Sequence, residues 1–152
     1  MVTEPMSPET SALYARAADA MQRQEFAQAL ELFDQVTQDA AAPVDAWLNA
    51  AQLALGFNKP KQAEAYLETV RPKLKHDYYQ DGTLWDHPVM VGLLARCYRL
   101  QLRYDEAITL IEPWVPYTDY TPAMQLDHGL CLAGKQHLVA GLKLVEGAIA
   151  KT

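Results

Sequence analysis

Cysteine is nearly absent, with Cys97 and Cys131 the two examples in 152 residues. Neither belongs to a C-x-x-C pair, so the sequence contains no disulfide framework, in keeping with a reducing, cytoplasmic compartment. Basic charge is also scarce. Thirteen Lys and Arg against nineteen Asp and Glu leave a net charge of −6, and no basic run could neutralise several phosphates, which argues against nucleic acid and anionic membrane surfaces as partners. No apolar stretch approaches the roughly 18 residues needed to insert across a bilayer. The opening "MVTEPMSPETS" carries acids where a secretory signal would carry Lys or Arg. Nucleophile elbow, Gly-rich phosphate loop and HExxH motif are all missing, which weighs against an enzyme.

The few chemistry-bearing groupings are weak. His76 with Asp77 and Asp86 with His87 are neighbours in sequence, and adjacency alone does not make a proton-transfer site. His128 and Cys131 share a helix face, but structural zinc wants about four ligands and no second pair is in view, so no metal or cofactor is expected. Cys97 and Cys131 stand 34 residues apart. If they sit on neighbouring helices about 8 to 10 Å apart, they are too distant for a disulfide and read as reduced core thiols.

The sequence is rich in a repeated order of residue types. In "EFAQAL", "KPKQAE", "RYDEAI" and "HLVAGL" a bulky residue or proline is followed three places later by Ala or Gly. The anchors Ala29, Ala63, Ala107 and Gly141 are separated by 34, 44 and 34 residues. Apolar residues follow at helical spacing, with Leu30, Phe33 and Val36 after Ala29, and Ile108, Ile111 and Trp114 after Ala107. Pro8, Pro43, Pro88 and Pro122 stand where helices should begin. The unit is helix, short turn, helix, used four times. Antiparallel helices approach closely where small residues stand at the crossing, which assigns Ala17, Ala29, Ala51, Ala63, Ala95, Ala107, Gly129 and Gly141 to the contacts. Trp47, Leu67, Tyr98, Ile111 and Leu132 then fill the core.

The 34-residue period, "WLNAA" at Trp47 to Ala51, "RYDEAI" and "EFAQAL" resemble the tetratricopeptide repeat over about residues 10 to 150. Pro60, Gly141 and the long middle interval depart from that pattern. The resemblance implies an all-α, right-handed superhelix of four helix-turn-helix repeats in one domain, at about residues 10–42, 43–75, 88–119 and 121–152 with an insertion loop at 76–87. It further implies a concave groove lined by the first helix of each repeat. Mapped slot by slot, that groove takes Tyr14, Ala18 and Met21, then Asp45, Leu48, Gln52 and Leu55, then Val89, Gly92, Arg96 and Arg99, then Leu126 and Leu130. Such a surface, apolar with a basic middle, suits a protein or peptide segment with apolar anchors and an acidic residue. The competing reading makes Leu48, Leu55, Leu126 and Leu130 ordinary core.

Adaptors that clamp the C-terminal carboxylate of large chaperones use Lys, Asn and Arg at slots occupied here by Tyr14, Ala18, Asn49, Val89 and Leu93, and Asn49 alone fits. The C-terminal quarter from Asp119 resembles the last repeat of the cytosolic chaperones that hold translocators of bacterial type III secretion. In the insertion, Pro72 is expected to end a helix, Asp81 and Gly82 to turn the chain, and Tyr78, Tyr79 and Trp85 to pack over the junction or to bind. The last helix is apolar over more than one face. Leu138, Leu142, Leu144, Val145 and Ile149 form a candidate patch for a homodimer or a partner, and Leu144→Glu is expected to dissociate any dimer. The leading function is a cytosolic adaptor or chaperone, and the alternative is a structural subunit that assembles through this helix.

Overall fold

The computed structural model describes residues 5–74, 76–77 and 84–151, with side chains described for 5–74 and 86–151. Its helices follow one another as antiparallel pairs: α1 (Pro8–Gln22) with α2 (Phe26–Val36), α3 (Val44–Gly56) with α4 (Pro60–Leu74), α5 (Pro88–Leu100) with α6 (Tyr104–Ile111), and α7 (Pro122–Gly134) with α8 (Leu138–Ala150). A 3₁₀ turn at Glu112–Trp114 prolongs α6. The chain divides after Leu74 into two compact units of two helix pairs each. Within the insertion expected to be a loop, β1 (His76–Asp77) pairs antiparallel with β2 (Leu84–Trp85), His76 opposite Trp85 and Asp77 opposite Leu84. This ladder of two residues a side leaves the architecture helical.

Local chemistry starts the helices. Ser7 Oγ accepts from the Thr10 amide and Thr121 Oγ1 from the Met124 amide, with Pro8 and Pro122 at the first helical position, where a missing N–H costs nothing. Pro88 opens α5 in the same way. Pro43 differs from expectation: it stands at the cap position outside α3, its ψ of 147° being extended. Pro60 is the first residue of α4, which explains a proline in the bulky slot. Pro72 does not end α4, which runs on to Leu74, because a proline in the last turn removes a single backbone bond.

The turn inside each pair is built identically four times. Gln24, Asn58, Leu102 and Gln136 adopt left-handed φ values of 62°, 57°, 63° and 70°. The next amide then donates back to the helix: Glu25 to Ala20 O at 2.9 Å, and Lys59 to Ala54 O, Arg103 to Tyr98 O and His137 to Leu132 O at 2.8 Å each. This closure satisfies carbonyls that the helix end would otherwise leave unpaired.

Ala17, Ala29, Ala51, Ala63, Ala95 and Ala107 are fully buried, and Gly129 and Gly141 are buried as well. Trp47, Leu67, Tyr98 and Ile111 fill the core around them, while Leu132 is half-buried. The α7–α8 crossing sets two glycines against each other. A Cβ added at Gly129 would lie 2.6 Å from Gly141 O, and one at Gly141 would lie 2.5 Å from Gly129 O, so the two backbones touch where the other pairs use alanine.

Candidate protein-binding surfaces

In the first unit, α1 and α3 carry the slots assigned to a groove. Tyr14, Met21, Leu48 and Leu55 are half-buried, and Ala18, Asp45 and Gln52 are exposed or half-buried rather than enclosed. None has disappeared into the core. The Tyr14 hydroxyl donates to Asp45 Oδ2 at 2.7 Å, joining the two helices, and this bond pushes the phenol above its ordinary pKa. Tyr14 also meets Phe33 edge to face, with ring centroids 6.1 Å apart.

In the second unit the corresponding helices are α5 and α7. Val89 and Leu130 are exposed, and Gly92, Arg96, Arg99 and Leu126 are half-buried. The basic pair is anchored by a residue that sequence reasoning missed. Asp127 is buried, and Arg99 Nε donates to its Oδ1 at 2.6 Å while Arg96 Nε donates to its Oδ2 at 3.3 Å. One carboxylate thus holds two guanidinium groups, leaving one positive charge in excess. The arginine side chains remain 38% and 24% exposed, so this charge faces solvent. An acid set among the apolar residues of "MQLDHGL" was the available signal, since a charge on a packed helix face needs a partner.

The other groupings resolve into structural roles. His87 caps α5, its Nδ1 accepting from the Val89 amide at 3.2 Å. His128 is buried and lies 2.8 Å from the Tyr120 hydroxyl through Nδ1. Cys97 and Cys131 are buried thiols outside any disulfide, and burial pushes Cys131 up to about 11, away from thiolate chemistry. Tyr78, Tyr79, Asp81 and Gly82 lie outside the described residues, as do the side chains of His76, Asp77 and Trp85.

On α8, Leu138, Leu142 and Ile149 are 58%, 55% and 63% exposed. Leu144 and Val145 are half-buried and approach Gly129: a Cβ there would come within 3.0 Å of Leu144 Cβ and 2.9 Å of Val145 Cγ2. Leu144→Glu would therefore disturb the α7–α8 crossing as well as the surface.

The period, the repeated turn and the buried small-residue crossings now stand together, and a tetratricopeptide-repeat family model matches residues 20–82. Residues 20–82 thus carry the tetratricopeptide-repeat signature. Solved structures agree on the fold. The region from residue 41 of MamA from Desulfovibrio magneticus RS-1 is 13% identical with a TM-score of 0.71, covering 95% of this chain and 76% of that one. YrrB, described as a tetratricopeptide-repeat protein with an unusual peptide-binding site, is 15% identical with a TM-score of 0.73, covering 93% and 68%. TTC0263, a thermophilic tetratricopeptide-repeat protein of Thermus thermophilus, is 13% identical with a TM-score of 0.65, covering 93% and 73%. No curated protein matches the chain significantly. Tetratricopeptide repeats imply peptide or protein binding, and the family is typically non-catalytic. No described helix is long and apolar enough to cross a membrane.

Proposed function

We propose that the chain is an adaptor or chaperone that holds a partner segment on the α5–α7 face, with an acidic side chain of the partner set between apolar anchors. The observation that carries this reading is the Arg96–Asp127–Arg99 cluster, in which two part-exposed guanidinium groups share one buried carboxylate. Such an arrangement is pre-organised: Asp127 fixes both arginines before a ligand arrives, so less side-chain entropy remains to be lost on binding. Exposed Val89 and Leu130 and half-buried Leu126 offer apolar contact around it. A family that binds peptides and proteins supports the same reading. Its finer form, suggested by the resemblance of the segment from Asp119 onward to the last repeat of type III translocator chaperones, is a cytosolic chaperone that shields an apolar secretion substrate.

The test is fluorescence anisotropy with labelled peptides that carry Leu or Ile anchors around a single Glu, compared with the same peptides carrying Gln. The Glu form should bind about tenfold more tightly, equivalent to about 1.4 kcal/mol. Arg96→Gln should erase most of that difference and leave the fold intact, since Arg99 keeps the shorter contact to Asp127. Equal binding of the two peptides, or a preference unchanged in Arg96→Gln, would overturn the reading.

A further inference from the structure

Helix α8 presents Leu138, Leu142, Val145 and Ile149 at spacings of four, three and four, so they line one stripe along its length. Three of the four are more than half exposed. The repeat period identifies what this stripe is. Thirty-four residues earlier, Leu142 and Val145 correspond to Ile108 and Ile111 of α6; 112 residues earlier, Leu142, Val145 and Ile149 correspond to Leu30, Phe33 and Thr37 at α2 and its C-terminal cap. Those five residues are buried, and α2 and α6 pack against the helices that follow them, α3 and α7. The α8 stripe therefore has the composition of a surface that receives another helix.

A second copy of the chain could offer two helices. The first is α1, stacked head to tail as α3 stacks on α2. Its matching positions are Ala12, Arg16 and Asp19, where α3 has Ala46, Ala50 and Leu53 and α7 has Met124, His128 and Cys131. All six residues on α3 and α7 are buried, whereas the three on α1 are exposed and Asp19 is paired with Arg23 at 3.2 Å. Covering that face with leucines would bury Arg16 and the Asp19–Arg23 pair away from water. The second candidate is α8 itself. A four-three-four spacing reads the same in both directions, as a two-fold contact requires, and no charged residue lies in the stripe.

We propose that α8 pairs antiparallel with α8 of a second copy, placing Leu138 against Ile149 of the partner subunit and Leu142 against Val145 of the partner subunit. The pairing leaves the α5–α7 face untouched, so it stands or falls independently of peptide binding. Light scattering across a concentration series of the full chain should reach twice the single-chain mass, and Leu142→Glu should hold it at the single-chain mass with unchanged helical circular dichroism. The double variant Leu138→Cys with Ile149→Cys gives a second measurement that does not require Leu142→Glu to fold. Within one helix these positions are about 16 Å apart and cannot join, so mild oxidation should give a covalent dimer. A chain that stays monomeric at high micromolar concentration, a dimer that survives Leu142→Glu, or a double-cysteine variant that yields no covalent dimer would each overturn the pairing.

Discussion

Asp127 decides the character of the α5–α7 face. Sequence alone made Arg96 and Arg99 a free basic patch; the buried carboxylate turns them into a fixed cluster. Replacing Asp127 by Asn keeps the shape and removes the charge, and the loss of two charge-assisted bonds should cost about 1.5–3 kcal/mol in urea unfolding. A variant as stable as the parent would mean that water already satisfies both arginines. The next residue, His128, is held below the 6.5 of a free imidazole, chiefly because burial penalises its charged form, with Glu112 opposing weakly. Burial also keeps the Tyr120 phenol protonated, at about 12, so its O–H can donate to Nδ1 of a neutral imidazole. In the window below pH 6.5 the unfolded chain binds more protons at this position than the native one, so native stability falls as pH drops through the folded value. Unfolding midpoints measured from pH 7.5 down to 5 should decline, and His128→Gln should flatten that part of the profile.

The elements were legible where a physical rule repeats. Close helix crossings demand small side chains, so Ala29, Ala63, Ala107 and Gly141 displayed the period directly. The strands were not legible, because a ladder of two residues a side leaves too little alternation to read. Pro72 misled because a proline tolerated in a final turn looks, in sequence, like one that stops a helix. The turns hid a further regularity, since Gln24, Asn58, Leu102 and Gln136 share a left-handed backbone across three residue types. Leu102 is the most costly of these choices, being branched, 70% exposed and at φ 63°. Relief of the left-handed strain by glycine, worth about 1–2 kcal/mol, outweighs the added freedom of the unfolded glycine, about 0.5–1 kcal/mol. Leu102→Gly should therefore raise stability by several tenths to about 1 kcal/mol in chemical denaturation. Two glycine replacements should act in opposite directions. Gly56→Ala meets nothing within 4 Å and should stabilise α3 by a few tenths of a kcal/mol or more. Gly129→Ala meets a backbone oxygen at 2.6 Å that cannot swing aside, and should cost about 1–3 kcal/mol.

At the scale of the whole chain, composition and local chemistry pull in different directions. The net charge of −6 repels an acidic segment, whereas the cluster around Asp127 carries one excess positive charge that would attract it. Sequence could show the first by counting, but the second required the fold to bring residues 96, 99 and 127 together. The α8 stripe was visible as excess apolar content, yet the α7–α8 crossing was needed to show that Leu138, Leu142 and Ile149 stand exposed while Leu144 and Val145 lie half-buried beside Gly129. The two charge effects differ in range, because exposed charges are screened beyond about 10 Å at 0.1 M salt, while a contact ion pair is screened much less. Encounter therefore feels the whole chain, and retention feels the cluster. Stopped-flow association of the Glu peptide should accelerate a few-fold as salt rises from low ionic strength to about 0.15 M, as the long-range repulsion is screened. The Arg96→Gln variant should show the same trend in association, with faster dissociation at every salt concentration. Association that slows with salt would mean that the arginine pair, not the chain's overall charge, governs the approach.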